Sequence, residues 1–446
     1  MSQPDPATSG QTTAETQVGS VFVSNYPPFS AWNDRQLSAV EEAFQTPAAS
    51  DEPFGLYLHI PFCRKRCKFC YFRVYTDKNS GEISRYTDAL AREVELYATQ
   101  PAIAGRPLRF VYFGGGTPSF ISVRHLSALV DRVREAFSWD AVEEVTFECE
   151  PGTLTRSKLA TIRELGVTRL SLGIENFNDE ILRENGRAHL TREIDRVLPW
   201  ITDLDFDQLN IDLIAGMVGE TWETWRETIE RTIELAPDSV TIYQMELPYN
   251  ARFSKQLLEG GGELPPFADW QTKREWNNYA MESLQAAGYD VSSAYTMIKP
   301  GKAGARFLYR DALWHGSDLL GAGIASFSHF RGVHFQNNAG WGDYLEAIEE
   351  GRFPWSRAFA TGADDRLIRE LILQLKLGAV RQEPFLEKFG VDILERWQPV
   401  WHDLEVRGMA HIENSAGVTL TRRGLLQVDS LLPGFYDPRY QGARYT

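Results

Sequence analysis

The chain has 446 residues, of which 43% are hydrophobic and 12 are Trp, enough to bury a large domain and a smaller one. Lys and Arg number 46 against 61 Asp and Glu, and a net charge of −15 argues against a nucleic-acid partner, which needs concentrated cations. No apolar run reaches the roughly 20 residues of a membrane span. Residues 1–18 lack both the apolar stretch and the basic flank of a signal peptide. Four cysteines, three of them clustered, are no disulfide framework and predict a reducing, cytoplasmic home.

Residues 1–20, rich in Ser, Thr, Gln and Pro, predict disorder. Residues 21–50 carry Phe22, Tyr26, Phe29 and Trp32 and predict packing against the main domain, so that 1–50 form a flexible N-terminal arm. From Leu56 a short apolar strand, a polar or glycine-rich turn and an amphipathic helix repeat. The strands fall at 56–60, 109–113, 144–148, 168–174, 207–214 and 238–245. Helices fill 82–98, 123–137, 155–165, 178–185 with 191–202, and 221–235. This alternation predicts an α/β fold with a parallel sheet. Six units fall short of eight, giving an open, partial (β/α)6 TIM-like barrel over 51–295.

The first strand runs into Cys63, Cys67 and Cys70, spaced C-x3-C-x2-C. Three thiolates on one tight loop suit a [4Fe–4S] cluster with three protein ligands. A structural zinc site wants a fourth ligand, and His59 lies on the preceding strand. The pattern after a strand resembles the signature of radical S-adenosylmethionine (SAM) enzymes, in which the remaining iron chelates SAM. Arg64, Lys65, Arg66, Lys68 and Arg73 crowd the loop. They read equally as a solvated charge run, a dock for an acidic electron donor, or an attraction for a polycarboxylate substrate.

At the C-terminal ends of the six strands stand the cysteine loop, Gly114-Gly-Gly-Thr-Pro118, Glu148, Glu175, Asp212, and Gln244 with Glu246. In β/α barrels that end builds the active site. The glycines allow close backbone approach to a ligand, here the amino group of SAM. Glu148, Glu175 and Asp212 can accept bonds from ribose hydroxyls and an ammonium. Arg187 can neutralise the SAM carboxylate, a contact worth roughly 1.5–3 kcal/mol. Cys149 alternates with Glu148, points the other way and reads as a buried apolar residue.

Residues 246–268 have neither strand nor helix rhythm and predict a loop, followed by a helix at 269–287 and a strand at 289–296. The run Asp318 to His329 is small and apolar, suited to close approach to a ligand or neighbouring strand. Residues 296–361 form an extension closing the site, and 362–446 a compact tail. The tail's helices at 364–378, 383–390 and 392–407, strand-like 411–413 and 418–421, and helix 421–431 resemble a winged-helix module. Its acidity favours packing or covering substrate over binding DNA.

The run Tyr57-x-His-Ile-Pro-Phe-Cys63, Gly114-Gly-Gly-Thr-Pro118, Glu148, Ser171-Leu-Gly-Ile-Glu175, Arg187, Asp212-Leu-Ile-Ala-Gly216 and the 318–329 segment resemble the oxygen-independent coproporphyrinogen III oxidase family over about 54–435. The resemblance implies that Cys63, Cys67 and Cys70 ligate the cluster. It also implies that Tyr57, Phe69, Gly115, Gly116, Thr117, Glu148, Glu175, Arg187 and Asp212 line the SAM site. Met245, by its backbone, and Phe327 fall near a second SAM that some members bind. The implied chemistry is one-electron cleavage of SAM, fed by a donor such as flavodoxin or ferredoxin. The resulting 5′-deoxyadenosyl radical abstracts hydrogen from a propionate of a tetrapyrrole, which loses carbon dioxide. Two further branches are two-SAM methyltransferases and non-catalytic heme chaperones. Three departures stand out. No cysteine lies two positions after Cys70, Glu175 replaces the family's Gln, and Tyr309-Arg-Asp-Ala-Leu-Trp314 lacks the first His of the chaperones' heme motif. The stretch Gln244 to Asn250 is the expected place of substrate reading.

Overall fold

The computed structural model describes residues 16–47, 52–259, 267–301, 306–413 and 416–443. Its first helix, α1 (Leu37–Gln45), buries Val40 and Phe44. Six strands then follow: β1 (Phe54–Ile60), β2 (Leu108–Gly115), β3 (Glu144–Cys149), β4 (Arg169–Glu175), β5 (Gln208–Ala215) and β6 (Ser239–Gln244). They lie side by side in chain order, every neighbouring pair parallel. The crossovers are α2 (Ser80–Ala98), α3 (Val123–Ala136), α4 (Arg156–Glu164), α5 (Asp179–Glu184) with α6 (Thr191–Leu204), and α7 (Trp222–Leu235). Strand and helix positions agree with the expectation to within two residues at nearly every end.

Alternation along the strands sorts side chains into two populations. Leu56, Leu58 and Ile60, Val111 and Phe113, Val145 and Phe147, Leu170 and Leu172, Ile211 and Leu213, and Val240 and Ile242 are buried in one core. The intervening positions, Phe110 apart, are mostly polar or small, and Tyr112, Glu148, Ser171, Gly173, Asp212, Thr241 and Tyr243 line an internal cavity. A sheet that is apolar on one face and polar on the other, curled about the polar one, makes a barrel interior chemically usable.

After β6 come α8 (Arg252–Leu258), α9 (Trp270–Ala286), β7 (Asp290–Val291), β8 (Thr296–Ile298) and α10 (Leu308–Trp314). The stretch 246–268 thus holds a short helix, α8, anchored by buried Phe253, where the sequence predicts only loop. Gly260-Gly-Gly262 and Pro265-Pro266 lie outside the described residues. The strand expected at 289–296 splits into β7 and β8, which pair with each other antiparallel. Next are β9 (Leu319–Ala322), β10 (Phe327–Phe330), β11 (Val333–Asn337), α11 (Trp341–Glu349) and β12 (Trp355–Ala360). All these strands join the same sheet, in the order β12-β11-β10-β9-β1 through β6-β8-β7. β1 and β6 do not pair with each other, so the barrel stays open. Gly321 explains why the 318–329 run is small: a Cβ there would stand 2.2 Å from the Phe327 carbonyl oxygen.

The tail packs α12 (Ala363–Leu375), β13 (Ala379–Arg381), α13 (Gln382–Phe389), α14 (Ile393–Arg396), α15 (Gln398–Val406), β14 (Ala410–Glu413), β15 (Gly417–Leu420), α16 (Arg422–Leu425) and α17 (Val428–Leu431) around a separate core. Its sheet, β13-β15-β14, adds a third strand to the expected hairpin. The helix expected at 392–407 breaks at Trp397, where Pro399 opens a new first turn. The helix expected at 421–431 likewise divides into α16 and α17.

Candidate functional site

A cavity of about 590 Å³ opens at the C-terminal ends of β1–β6. The cysteine loop forms its upper wall, while Ser20 to Phe22 of the arm and Leu426, Gln427, Asp429 and Ser430 of the tail close its sides. Of the residues expected in the site, Cys63, Cys67, Cys70, Phe69, Gly115, Gly116, Thr117, Glu148, Glu175, Arg187, Asp212 and Met245 all line it.

Two do not. Tyr57 stacks on Tyr112, ring centroids 5.8 Å apart, and its hydroxyl lies 3.1 Å from His59 Nδ1, one layer behind the cavity wall. Phe327 packs 4.4 Å from Phe29 and 5.7 Å from Trp32 of the arm, away from the cavity. Period-two alternation gives the face of a strand but not which neighbour covers it.

The loop is held from both sides. Thr117 donates its hydroxyl to Cys63 Sγ at 3.3 Å, and Arg187 points Nη1 at Cys67 Sγ, 3.4 Å away. The Lys68 amide donates to Asn185 O, and Arg64 spans Glu150 and the Ala188 carbonyl. Burial pushes the Cys63 thiol up to about 12 and Cys70 up to about 11. Such a pocket opposes bare thiolates, and metal ions reverse that preference. Among the described residues no three His, Cys, Asp or Glu side chains converge to ligate a single ion. His59 instead packs its ring where a Gly115 Cβ would stand, 2.6 Å from that position. Cys149 sits in the apolar core, as its alternation with Glu148 requires.

Below the loop three carboxylates face the cavity. Glu148 accepts from the Tyr112 hydroxyl at 2.6 Å and the Gly115 amide at 3.1 Å. Asp212 is gripped by Ser171 Oγ at 2.8 Å and Asn210 Nδ2 at 2.9 Å. Glu175 has a left-handed φ of 67° at a bulge in β4, which turns its carboxylate to 3.3 Å from Arg187. Burial raises Glu148 and Glu175 to about 7 and raises Asp212 as well. Three acids facing one cavity call for a cationic ligand. SAM offers both a sulfonium and an ammonium. Gly116 lets this turn pass close beside the start of the cysteine loop: a Cβ there would lie 2.9 Å from the Phe62 carbonyl oxygen. The donor set therefore fits a cluster held by three thiols with SAM beside it.

The sequence reading missed the residues that hold these groups: Tyr112, Ser171 and Asn210, together with Glu150. Burial works to raise Glu150, but His189, Arg187 and Arg64 outweigh it and hold the carboxyl down at about 2. Their one sequence signal is a polar residue at each inward strand position.

The sequence profile of the Radical SAM superfamily matches residues 57–232. Over 349 residues the chain is 30% identical to the oxygen-independent coproporphyrinogen III oxidase of Escherichia coli K12, covering 75% of this chain and 74% of that one. It is 28% identical over 376 residues to the enzyme of that name from Synechocystis, covering 81% and 79%. A heme chaperone of Bacillus subtilis is 26% identical over 385 residues, covering 85% and 98%. In three dimensions the chain follows the Escherichia coli coproporphyrinogen III oxidase, a radical SAM enzyme, with a TM-score of 0.81 over 93% of this chain and 96% of that one, at 24% identity. No helix among the described residues is long and apolar enough to cross a membrane. With its thiol loop, carboxylate-lined cavity and open barrel, this chain belongs to the oxygen-independent coproporphyrinogen III oxidase family of the radical SAM superfamily.

Proposed function

We propose that the protein is a radical SAM oxidoreductase that oxidatively decarboxylates a tetrapyrrole or a similar polycarboxylate. The observation that carries this reading is the shared cavity: three thiols, three carboxylates and Arg187 line one space. Cys63, Cys67 and Cys70 would hold the cluster, and Glu148, Glu175, Asp212 and Arg187 would hold SAM. When bound, cluster and SAM supply one-electron cleavage of a carbon–sulfur bond and with it the power to take hydrogen from an unactivated carbon.

The chain's own residues bind, orient and exclude water. Gly115 and Thr117 fix Glu148 and Cys63, Ser171 and Asn210 fix Asp212, and Arg187 bridges the loop to β4. Tyr71, Phe72, Tyr243, Tyr295, Phe307 and Tyr309 give the remaining wall an aromatic lining suited to a flat, conjugated or pyrrolic ligand. Divided oxidase and chaperone names among the relatives keep heme delivery as the second reading. Against it stands Tyr309 where the chaperone motif has its first His, so that place offers a phenol packed on Tyr112 and no imidazole.

The test is anaerobic turnover of reconstituted, reduced protein with SAM and coproporphyrinogen III, following 5′-deoxyadenosine and carbon dioxide by mass spectrometry. The two released in step are expected. Deoxyadenosine without carbon dioxide moves a two-SAM methyltransferase to the front, with Met245 at the second SAM. Neither product, with heme bound one to one, selects the chaperone.

A further inference from the structure

Arg169 opens β4 and turns into the barrel. It is 1% exposed and lines the cavity at the end remote from the cysteine loop. Its Nε and Nη1 are sealed from solvent and have no hydrogen-bond partner, and no ion pair reaches it among the described residues. Its guanidinium carbon lies over Phe307, 4.0 Å from the ring centroid. Phe307 and Tyr309 make this the floor of the cavity. Arg310 sits behind that floor and is already satisfied by Ser292, Ser293 and Asp311.

A buried guanidinium with donors unspent is costly, and native structures keep such groups where a ligand supplies the acceptor. Asp212 and Glu148 are close enough to feel its charge, yet their oxygens are engaged by Ser171, Asn210, Tyr112 and Gly115. Arg187, another arginine lining the cavity, belongs to the loop end and grips Gly173 O. Arg169 stands four residues below Gly173 on the same strand, roughly 13 Å at the strand rise. The cavity therefore carries a cation at each end. The upper one is beside the cluster loop, and the lower one sits on an aromatic floor with hydrogen-bonding capacity left over for an anion.

We propose that Arg169 is a substrate-binding residue that anchors a carboxylate of the substrate at the floor of the barrel. The proposal rests on the reading of the cavity as a polycarboxylate site. A ligand held there by one acid arm presents its opposite side to the SAM end, so Arg169 sets which carbon lies in reach.

The test compares wild type, Arg169→Gln and Arg169→Lys by three measurements: thermal shift with propionate at constant ionic strength, affinity for coproporphyrin III and its tetramethyl ester by fluorescence, and SAM affinity by equilibrium dialysis. Propionate is expected to raise the Tm of the wild type but not of Arg169→Gln. Coproporphyrin affinity should fall roughly ten- to a hundredfold in Arg169→Gln and recover in part in Arg169→Lys. The ester should bind all three alike, and SAM affinity should move less than threefold. Protection by propionate without coproporphyrin binding keeps the anchor and removes the tetrapyrrole reading. Equal propionate shifts in wild type and Arg169→Gln, or equal losses of SAM and porphyrin affinity, overturn the anchor and make Arg169 a counter-charge for Asp212 and Glu148. Should Arg169→Gln fail to fold, Arg169→Lys decides by the same readings.

Discussion

Arg187 and Cys67 are in direct contact: guanidinium Nη1 lies 3.4 Å from the sulfur, while Nη2 donates to Gly173 O at 2.7 Å. The same Nη2 stands 3.3 Å from Glu175. Burial works against its charge, but Cys67, Glu175 and Glu150 more than offset it and hold the group protonated. One side chain thus ties the thiol loop to the strand that carries the acids.

Replacing it separates those roles. Arg187→Gln should weaken SAM binding about ten- to a hundredfold, the worth of a charged hydrogen-bonded contact. Iron content should stay near normal, measured on the same preparation as equilibrium dialysis. Loss of iron would make Arg187 chiefly a brace for the loop.

Asp212 makes the complementary case, since Ser171 and Asn210 hold it and no cysteine touches it. Asp212→Ala should weaken SAM binding with iron retained. Iron loss would mark it as structural.

Glu148 predicts a pH dependence. Its folded value of about 7 reflects burial first, with Tyr112 and Gly115 pulling it down and Asp212 pushing it up. A carboxyl raised above its ordinary value of about 4.5 binds more protons folded than unfolded between the two. Its contribution is complete below about 4.5 and is lost as pH rises through about 7. Glu148→Gln, neutral throughout, should therefore gain on the SAM-free wild type as pH rises from 5 to 7.5, by about 1–3 kcal/mol. The same variant should bind SAM less tightly at pH 8. Thermal unfolding at several pH values checks the first part, and a gap that narrows instead of widening contradicts it.

Those acids were readable because inward strand positions that should be apolar are not, and so were the six strands, whose outward positions carry Leu, Ile, Val and Phe without interruption. What stayed hidden is pairing at long range. Nothing local says that β9 lies parallel to β1 some 260 residues away or that β10 to β12 continue the sheet. Glu246 illustrates the same limit at the site. It accepts from the Val21 and Phe22 amides at 3.0 and 3.1 Å and from the Ser20 hydroxyl, a clasp spanning the chain from arm to sixth strand. Arg169 shares β4 with one other charge, Glu175, and only the fold shows that its Nε and Nη1 lack hydrogen-bond partners.

The tail reaches that clasp through a buried ion pair of its own, both members of which hydrogen-bond to the backbone of Val23. Lys376, fully buried on the way out of α12, meets Asp429 of α17 at 2.7 Å, and Asp429 also takes the Val23 amide at 2.9 Å and the Tyr295 hydroxyl. Asp429→Asn leaves a buried ammonium without its counter-charge and should cost about 3–5 kcal/mol. Chemical denaturation measures it, and a loss below 1 kcal/mol would mean that water already answers Lys376.

The most direct test of the central claim, that three thiols of one loop hold the cluster to which SAM binds, is the electron paramagnetic resonance spectrum of the reduced, reconstituted protein with and without SAM. Wild type and Cys149→Ala should both show a [4Fe–4S]+ signal that shifts when SAM is added, and Cys67→Ala should show neither the signal nor the visible absorption. A spectrum indifferent to SAM, or a cluster lost in Cys149→Ala and kept in Cys67→Ala, would contradict the assignment.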